Sequence, residues 1–165
     1  MELRSERATD VATIRQITKA AFAPMPYSSQ TEAEIIDALR AAGALTLSLV
    51  AVENGEIVGH VAFSPVAIDG EDMGWYGLGP ISVRPDRQQG GIGGRLIREG
   101  LQRLATTGAK GCVLLGDPGY YKRFGFENHE GLRFEGPPAE YFMALAFNGP
   151  VPSGRVSFHD GFDAS

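Results

Sequence analysis

The 165-residue sequence contains one cysteine, Cys112, and so forms no disulfide bond within the chain. Low cysteine usage is typical of reducing compartments, and we expect a cytoplasmic protein in which Cys112 is a buried packing thiol. No apolar run approaches the ~18 residues of a membrane helix. The charged start of the chain lacks the apolar region of a signal peptide. We therefore expect no membrane partner.

Positive charge and metal ligands are also scarce. The 15 lysines and arginines are outnumbered by 20 aspartates and glutamates, which gives a net charge of −5. Nucleic-acid surfaces are cationic, so we expect no nucleic-acid partner. The histidines and carboxylates do not cluster at the spacing of metal ligands, so the sequence predicts no metal site.

Glycine, by contrast, is abundant, and four of the 22 glycines fall within five positions, Gly90 to Gly94. They follow a predicted strand that ends at Val83 and precede a helix with an apolar face of Ile92, Leu96, Ile97, Leu101, Leu104 and Ala105. Glycine lets an outside group approach the backbone, and a helix N-terminus offers unpaired N–H groups. This stretch therefore predicts an anion site, most naturally for phosphate.

Two common phosphate motifs do not fit this loop. A nucleotide P-loop needs Lys and then Ser or Thr after its last glycine, whereas Arg95 and Leu96 follow Gly94. A dinucleotide fingerprint needs a third glycine where Leu96 stands, and an acid at the end of the next strand, which carries none before Asp117.

The remaining pattern, Gln88-x-x-Gly91-x-Gly93 after a strand, resembles the pyrophosphate loop of the GNAT superfamily of N-acetyltransferases. Other stretches are similar to one bacterial subgroup of predicted N-acetyltransferases whose substrates are mostly unassigned. They are Leu78-Gly79-Pro80, Leu115-Gly116-Asp117-Pro118, Tyr120 to Phe126, and Gly154-x-Val156-x-Phe158-His159.

The whole chain predicts one α+β domain over residues 1–165. We expect strands near 1–7, 45–53, 56–64, 73–83, 111–116, 141–147 and 155–158, and helices near 9–22, 31–42, 92–106 and 120–124. Asn54-Gly55 predicts a type I′ hairpin turn. The strand–helix–strand order from Leu78 to Gly116 predicts a parallel pair. The order resembles the GNAT fold, which implies a mostly antiparallel sheet with one splayed parallel pair and flanking helices.

The resemblance implies acetyl transfer from acetyl-CoA to a primary amine of a small molecule or peptide, by direct attack through a tetrahedral intermediate. Ile81, Ser82 and Val83 would bind the pantetheine through their backbone, and the Ile81 N–H would stabilise the oxyanion. Tyr121, four residues before Gly125-Phe126, would donate the proton to the leaving thiolate. The expected diphosphate-binding residues are Gln88, Gln89, Gly90, Gly91, Ile92, Gly93, Gly94 and Arg95.

The acceptor side is less defined by the sequence. The resemblance implies walls formed by Tyr27, Trp75 and Tyr76. Many family members carry a glutamate base on the central strand, but Gly79 stands at that position and cannot titrate. A structural role is the better interpretation of His60, and Asp117 is also an ordinary turn residue.

Three alternatives therefore stay open: a non-catalytic acyl-CoA-binding or sensor module, a transferase that uses a longer acyl donor, and a simple interaction domain. Five arginines lie between Arg84 and Arg103, and for Arg98 and Arg103 we expect an ordinary solvated face. Family members are often dimers, which makes a homodimer possible.

Overall fold

The computed structural model describes all residues 1–165 and is an α+β fold with helices on both faces of a mixed sheet. The strands are β1 (Glu2–Ser5), β2 (Leu47–Glu53), β3 (Glu56–Ile68), β4 (Glu71–Val83), β5 (Gly111–Leu115), β6 (Leu132–Arg133), β7 (Phe142–Ala146) and β8 (Gly154–Phe158). The helices are α1 (Val11–Phe22), α2 (Glu32–Ala41), α3 (Ile92–Thr106) and α4 (Pro118–Tyr121). None of these helices could cross a membrane.

The sheet runs in the order β1-β2-β3-β4-β5-β7, with β8 paired to the far end of β3 and β6 paired to β8. Its main path is antiparallel except for β4 and β5, which confirms the predicted parallel pair. Two residues of β6 also pair in parallel with β8. Such a short strand has no periodicity to read, so the sequence did not indicate β6.

The β2–β3 hairpin turns at Asn54 and Gly55, whose φ angles of 53° and 79° are those of the predicted type I′ turn. Strand β3 continues to Ile68, four residues beyond the predicted end at Ser64. Pro65 suggested that end, because proline cannot donate to a ladder. The strand accommodates Pro65 with a shift of register between Pro65 and Ala67.

The main core lies between the sheet and α3. Gly100 of α3 comes so close to Phe63 of β3 that a Cβ at this position would overlap the ring. Glycine is thus required here for the helix to pack on the sheet. Cys112 is fully buried in the same cluster, and burial raises the pKa of its thiol well above the usual range. That environment fits the predicted packing role.

Strands β4 and β5 pair only over Trp75–Gly77 and Gly111–Val113 and separate beyond them. A bulge in β4 accompanies the separation, because Ile81 pairs with Val61 but Leu78 pairs with Phe63. Gly79 and Pro80 therefore lie opposite the single residue Ala62. The open end of this strand pair faces the start of α3, so the fold puts a cleft beside the glycine-rich loop.

A chain of buried polar side chains crosses the opposite face of the sheet. Arg40 of α2 pairs with Glu6, and Glu6 accepts a hydrogen bond from Ser48. Since the Ser48 hydroxyl donates to that carboxylate, it accepts from His60 Nε2 at 2.7 Å, which makes His60 the neutral Nε2–H tautomer. Burial lowers the pKa of His60 to about 4. Its full burial and its hydrogen bond to Ser48 fit the structural interpretation of His60.

The His60 pKa makes stability depend on pH. An unfolded histidine titrates near 6.5, so between pH 6.5 and about 4 the unfolded chain binds more protons and stability falls as pH falls. We expect His60 to account for a loss of about 2 kcal/mol at pH 5 relative to pH 8. Denaturant unfolding of the protein and of His60→Gln, which keeps a donor for Ser48, measures it. An equal loss in both proteins over this range would assign the effect to other groups.

Candidate active site

The backbone between β4 and α3 carries an unusual run of unpaired donors. None of the seven consecutive amides from Gln88 to Gly94 donates a hydrogen bond to any group of the protein. Intrahelical bonding resumes at Arg95, whose amide donates to the Gly91 carbonyl at 3.1 Å. The four terminal amides of any helix lack partners, but here the run continues through the preceding loop. These donors, at the positive end of the α3 dipole, can bind an anion.

The loop holds this conformation through two residues with positive φ and one side chain. Gln89 has φ 67° and Gly91 has φ 85°, and Gly91 is the residue from which α3 starts. Gln88 Nε2 donates to the Val83 carbonyl at 3.0 Å and so fixes the loop to the end of β4. The Gln88 side chain therefore orders the loop, while its amide stays free.

A cavity of about 500 Å³ lies in front of these amides. Arg98 and Arg123 stand on its rim, and the rings of Tyr120 and Phe124 form the wall that faces α3. The Tyr120 hydroxyl lies against Gly93. The full lining is Val83, Arg87, Gln88, Gln89, Gly91, Ile92, Gly93, Gly94, Arg98, Tyr120, Arg123 and Phe124. Arg95 and Gly90, both expected at the anion, do not line it.

The end of β4 offers backbone groups to the same cleft. The Arg84 amide bonds to Val58 of β3 at 2.8 Å, and hydrogen-bonding directions alternate along a strand. Ile81 and Val83 therefore direct their backbone groups away from β3 and toward the open side, where β4 has no partner. Ser82 directs its backbone groups to β3, and its buried hydroxyl lies 3.4 Å from Thr18. The expectation for Ser82 is corrected: it is not a backbone donor in the cleft.

Tyr121 lies at the end of α4, half-buried against Gly116 and three aromatic rings. Burial raises the pKa of Tyr121 to about 12, and the nearby Tyr120 and Tyr27 hydroxyls add to the effect. The Tyr121 hydroxyl makes no hydrogen bond within the protein. It is not one of the fully enclosed polar atoms without a partner, so it can be reached from outside. Tyr121 thus has a protonated hydroxyl free to donate to a bound molecule.

The fold does not bring the residues expected at the acceptor wall into one surface. Tyr27 is 79% exposed and is close enough to Tyr121 to influence its pKa. Tyr76 packs partly buried against the main core. The expectation for Trp75 is corrected: it is only 2% exposed, because it lies where β4 and β5 are still paired and fills the second core cluster.

Two exposed apolar residues that sequence reasoning missed flank the open end of β5. Leu115 is 40% exposed and Tyr141 is 42% exposed. The Tyr141 carbonyl accepts from Gly116 at 2.9 Å, which keeps Tyr141 beside the residue that Tyr121 contacts. Only the topology brings these positions together, since 25 positions of sequence separate Gly116 from Tyr141.

No titratable side chain takes the place of the missing base on β4. A Cβ at Gly79 would meet nothing within 4 Å, so this point of the cleft is open space. Asp117 accepts from the Gly119 amide at 2.9 Å and caps α4, which is the turn role. No group of histidines, cysteines and carboxylates could hold a metal ion.

Comparison with known proteins agrees with this arrangement. The family model for the acetyltransferase (GNAT) domain matches residues 2–128. A GNAT family acetyltransferase from Brucella melitensis, solved in complex with acetyl-CoA, is 58% identical, with a TM-score of 0.89 over 98% of this chain and 97% of that one. The Escherichia coli protein YhbS, named an uncharacterized N-acetyltransferase, is 37% identical over 99% of both chains. Its structure in complex with CoA has a TM-score of 0.88 over 98% of this chain and 91% of that one.

A sheet that opens beside a loop of free amides is the architecture of an acyltransferase that binds a phosphate-bearing donor. More specifically, the chain belongs to the GNAT family of acetyltransferases.

Gly93 allows the anion function of the loop to be tested apart from packing. A Cβ there would make only ordinary contacts, the nearest at 3.7 Å to Tyr120 and Val83, so the protein itself does not need glycine at this position. We expect Gly93→Asp to melt close to the parent, because a carboxylate is favourable in the first turn of a helix. We expect its CoA affinity, measured by calorimetry, to fall at least about tenfold, because the carboxylate repels a diphosphate bound at the same amides, whereas the neutral Gly93→Ala should bind CoA as the parent does.

Gly100→Ala is the matched comparison, because that Cβ would overlap Phe63. It should lower the melting temperature, as overpacked cores do by about 1–3 kcal/mol. If Gly93→Asp binds CoA as tightly as the parent, the loop is not the anion site.

Proposed function

We propose that the protein transfers an acetyl group from acetyl-CoA to a primary amine of a small molecule or peptide, by direct attack on the thioester. The observation that carries the proposal is the run of seven unpaired amides from Gln88 to Gly94 at the mouth of the open strand pair. The residues from Gln88 to Gly91 are exposed, so water can satisfy their amides in the free protein, and a bound anion would replace that water with oxygens of opposite charge. The diphosphate of acetyl-CoA supplies oxygens of the right charge and number.

The pantetheine arm would extend from the loop along the open side of β4. Ile81 and Val83 turn their backbone groups to that side, so the arm can bond to them as an added strand would. This orientation brings the thioester carbonyl to the Ile81 amide, close to the β4 bulge. A fixed donor at this point stabilises the oxyanion by about 3 kcal/mol.

The chemical step then needs only the acceptor and one proton donor. The amine lone pair attacks the thioester carbon, the carbonyl oxygen becomes an oxyanion at Ile81, and the carbon–sulfur bond breaks as the carbonyl re-forms. The sulfur leaves with the electron pair of the broken bond. The attacking nitrogen loses one proton, and the leaving sulfur gains one.

Tyr121 is the side chain best suited to the leaving sulfur. With its pKa raised to about 12, it is protonated throughout the physiological range and donates a hydrogen bond. Complete transfer to a thiolate of ordinary pKa near 8.5 is uphill, so Tyr121 passes on its proton only as it regains one from the amine or solvent. A raised pKa thus favours Tyr121 as a hydrogen-bond donor that relays a proton.

The acceptor would enter from the side of the α1–α2 loop. Tyr27 lies near Tyr121, and Leu115 and Tyr141 expose apolar surface beside Gly116, the residue that the Tyr121 ring contacts. Gly79 leaves open space beside the proposed position of the thioester. No carboxylate base occupies the Gly79 position, so the amine must arrive neutral or lose its proton to water. Such a site suits an amine with an apolar or aromatic neighbour.

Replacing Tyr121 tests its part in the step. We expect Tyr121→Phe to lower kcat by about tenfold or more, because the leaving sulfur loses its donor. CoA affinity by calorimetry should stay within about twofold, since the hydroxyl contacts no loop amide. An unchanged kcat would remove Tyr121 from the mechanism. Equal losses in kcat and CoA affinity would mean that the ring positions the coenzyme instead.

The proposal as a whole is tested by release of free thiol from acetyl-CoA in the presence of primary amines. The panel contains polyamines, amino sugars, aromatic amines and peptides with a free α-amine. We expect turnover with at least one class and none without protein. CoA binding without turnover on any amine would favour a non-catalytic acyl-CoA-binding module, and turnover only with longer thioesters would change the donor. Absence of CoA binding would reject the proposal at its first step.

A further inference from the structure

The phosphate cavity has a cationic rim that the loop motif does not include. Of the five arginines between Arg84 and Arg103, three are engaged by carboxylates: Arg84 by Glu56 and Asp86, Arg87 by Glu53, and Arg103 by Glu99. Arg98 has no acidic partner, and neither does Arg123 in the 3₁₀ turn Lys122–Phe124 that follows α4. Both line the cavity in front of the loop.

The two guanidinium groups are held by aromatic rings instead. The Arg98 guanidinium carbon lies 4.8 Å from the centroid of Phe124, and that of Arg123 lies 4.5 Å from the centroid of Tyr120. Arg123 Nε also donates to the Tyr120 carbonyl at 2.9 Å. Contact with a ring face fixes the plane of the guanidinium but uses none of its outward N–H donors. Each arginine is therefore ordered and still has donors to offer.

The arginines stand outside the amide run rather than within it. Both side chains are exposed, whereas the amides lie along the inner wall of the cavity. The Arg98 guanidinium contacts the space above Gly94, one turn before it on α3, because helix side chains point toward the N-terminus. If the amides bind one anionic group of a ligand, Arg98 and Arg123 face a second anionic group of that ligand, nearer the mouth of the cavity.

We propose that Arg98 and Arg123 together bind the 3′-phosphate of the coenzyme, so that the protein selects CoA over dephospho-CoA. The inference rests on the proposed binding of acetyl-CoA. Seven amides can satisfy the diphosphate without any cation, and the 3′-phosphate is the only other dianionic group that CoA has. Planar guanidinium groups bind phosphate oxygens in pairs, which suits one arginine from α3 and one from the turn that follows α4. Arg98 is exposed, as the sequence predicted, and the proposal adds a ligand to that solvated face.

The test compares CoA with dephospho-CoA by calorimetry on the full chain. The parent should bind CoA about tenfold or more tightly than dephospho-CoA, the size expected for charge-assisted hydrogen bonds to one phosphate. Arg98→Gln and Arg123→Gln should each weaken CoA by about tenfold and leave dephospho-CoA unchanged. Arg103→Gln is the matched control: it removes the same charge from the same helix, about 140° around the axis from Arg98, and should change neither affinity.

Each outcome decides the inference. If a variant loses the same affinity for CoA and for dephospho-CoA, the arginine binds the diphosphate and the assignment is overturned. If the variants bind CoA as tightly as the parent, the arginines do not bind the coenzyme and the assignment is also overturned. Arg98→Gln breaks no hydrogen bond within the protein, so a folding defect in Arg123→Gln would leave the test intact. If the parent binds neither CoA nor dephospho-CoA, the proposed function itself is rejected. That result differs from one in which the parent binds CoA and the variants bind it equally well, which rejects only the role of the arginines.

Discussion

Unpaired backbone amides are the constraint around which this protein is built. A folded chain normally satisfies its donors, yet the stretch from Gln88 to Gly94 satisfies none of them internally. The chain tolerates this because the loop is open to solvent and fixed at both ends, by the Gln88 side chain on Val83 and by the first turn of α3. The free donors of this loop are thus main-chain groups, and the Gln88 side chain orders the loop that carries them.

The remainder of the fold gives this loop a cleft to work with. Helix α3 packs on the sheet through a large apolar face and through the glycine that admits Phe63, and this packing sets its N-terminus beside the end of β4. The parallel pairing of β4 with β5 stops at Gly77 and Val113, which opens the sheet at the same level as the loop. Tyr121 reaches this opening because α4 begins directly after β5, with Asp117 as its cap. The loop, the opening of the sheet and Tyr121 are therefore positioned by β4, α3, β5 and the short helix that follows them.

Features encoded in consecutive residues could be predicted from the sequence, whereas contacts between distant residues could not. Glycine spacing and the strand–helix–strand order predicted the loop and the parallel pair, since both are recorded in consecutive residues. Pattern alone could not tell that Trp75 lies in the core, because its burial depends on Gly111 across the sheet. Nor could it separate Arg98 from its charged neighbours, because the ring it lies on, Phe124, is 26 positions away. Leu115 and Tyr141 likewise meet only in the folded chain.

The bulge in β4 has a consequence for the length of the chain. Leu78 and Ile81 are three residues apart, yet both contribute to the cluster beneath α3, although an odd separation along a regular strand puts side chains on opposite faces. The extra residue of the bulge at Gly79-Pro80 brings the side chains of Leu78 and Ile81 to the same face of the sheet. Insertion or deletion of a single residue here would turn Ser82 toward α3 and Ile81 and Val83 away from it, and would exchange which amides meet β3 and which meet the cleft. The number of residues between Leu78 and Ile81 is therefore as strictly constrained as the identity of any side chain in the site.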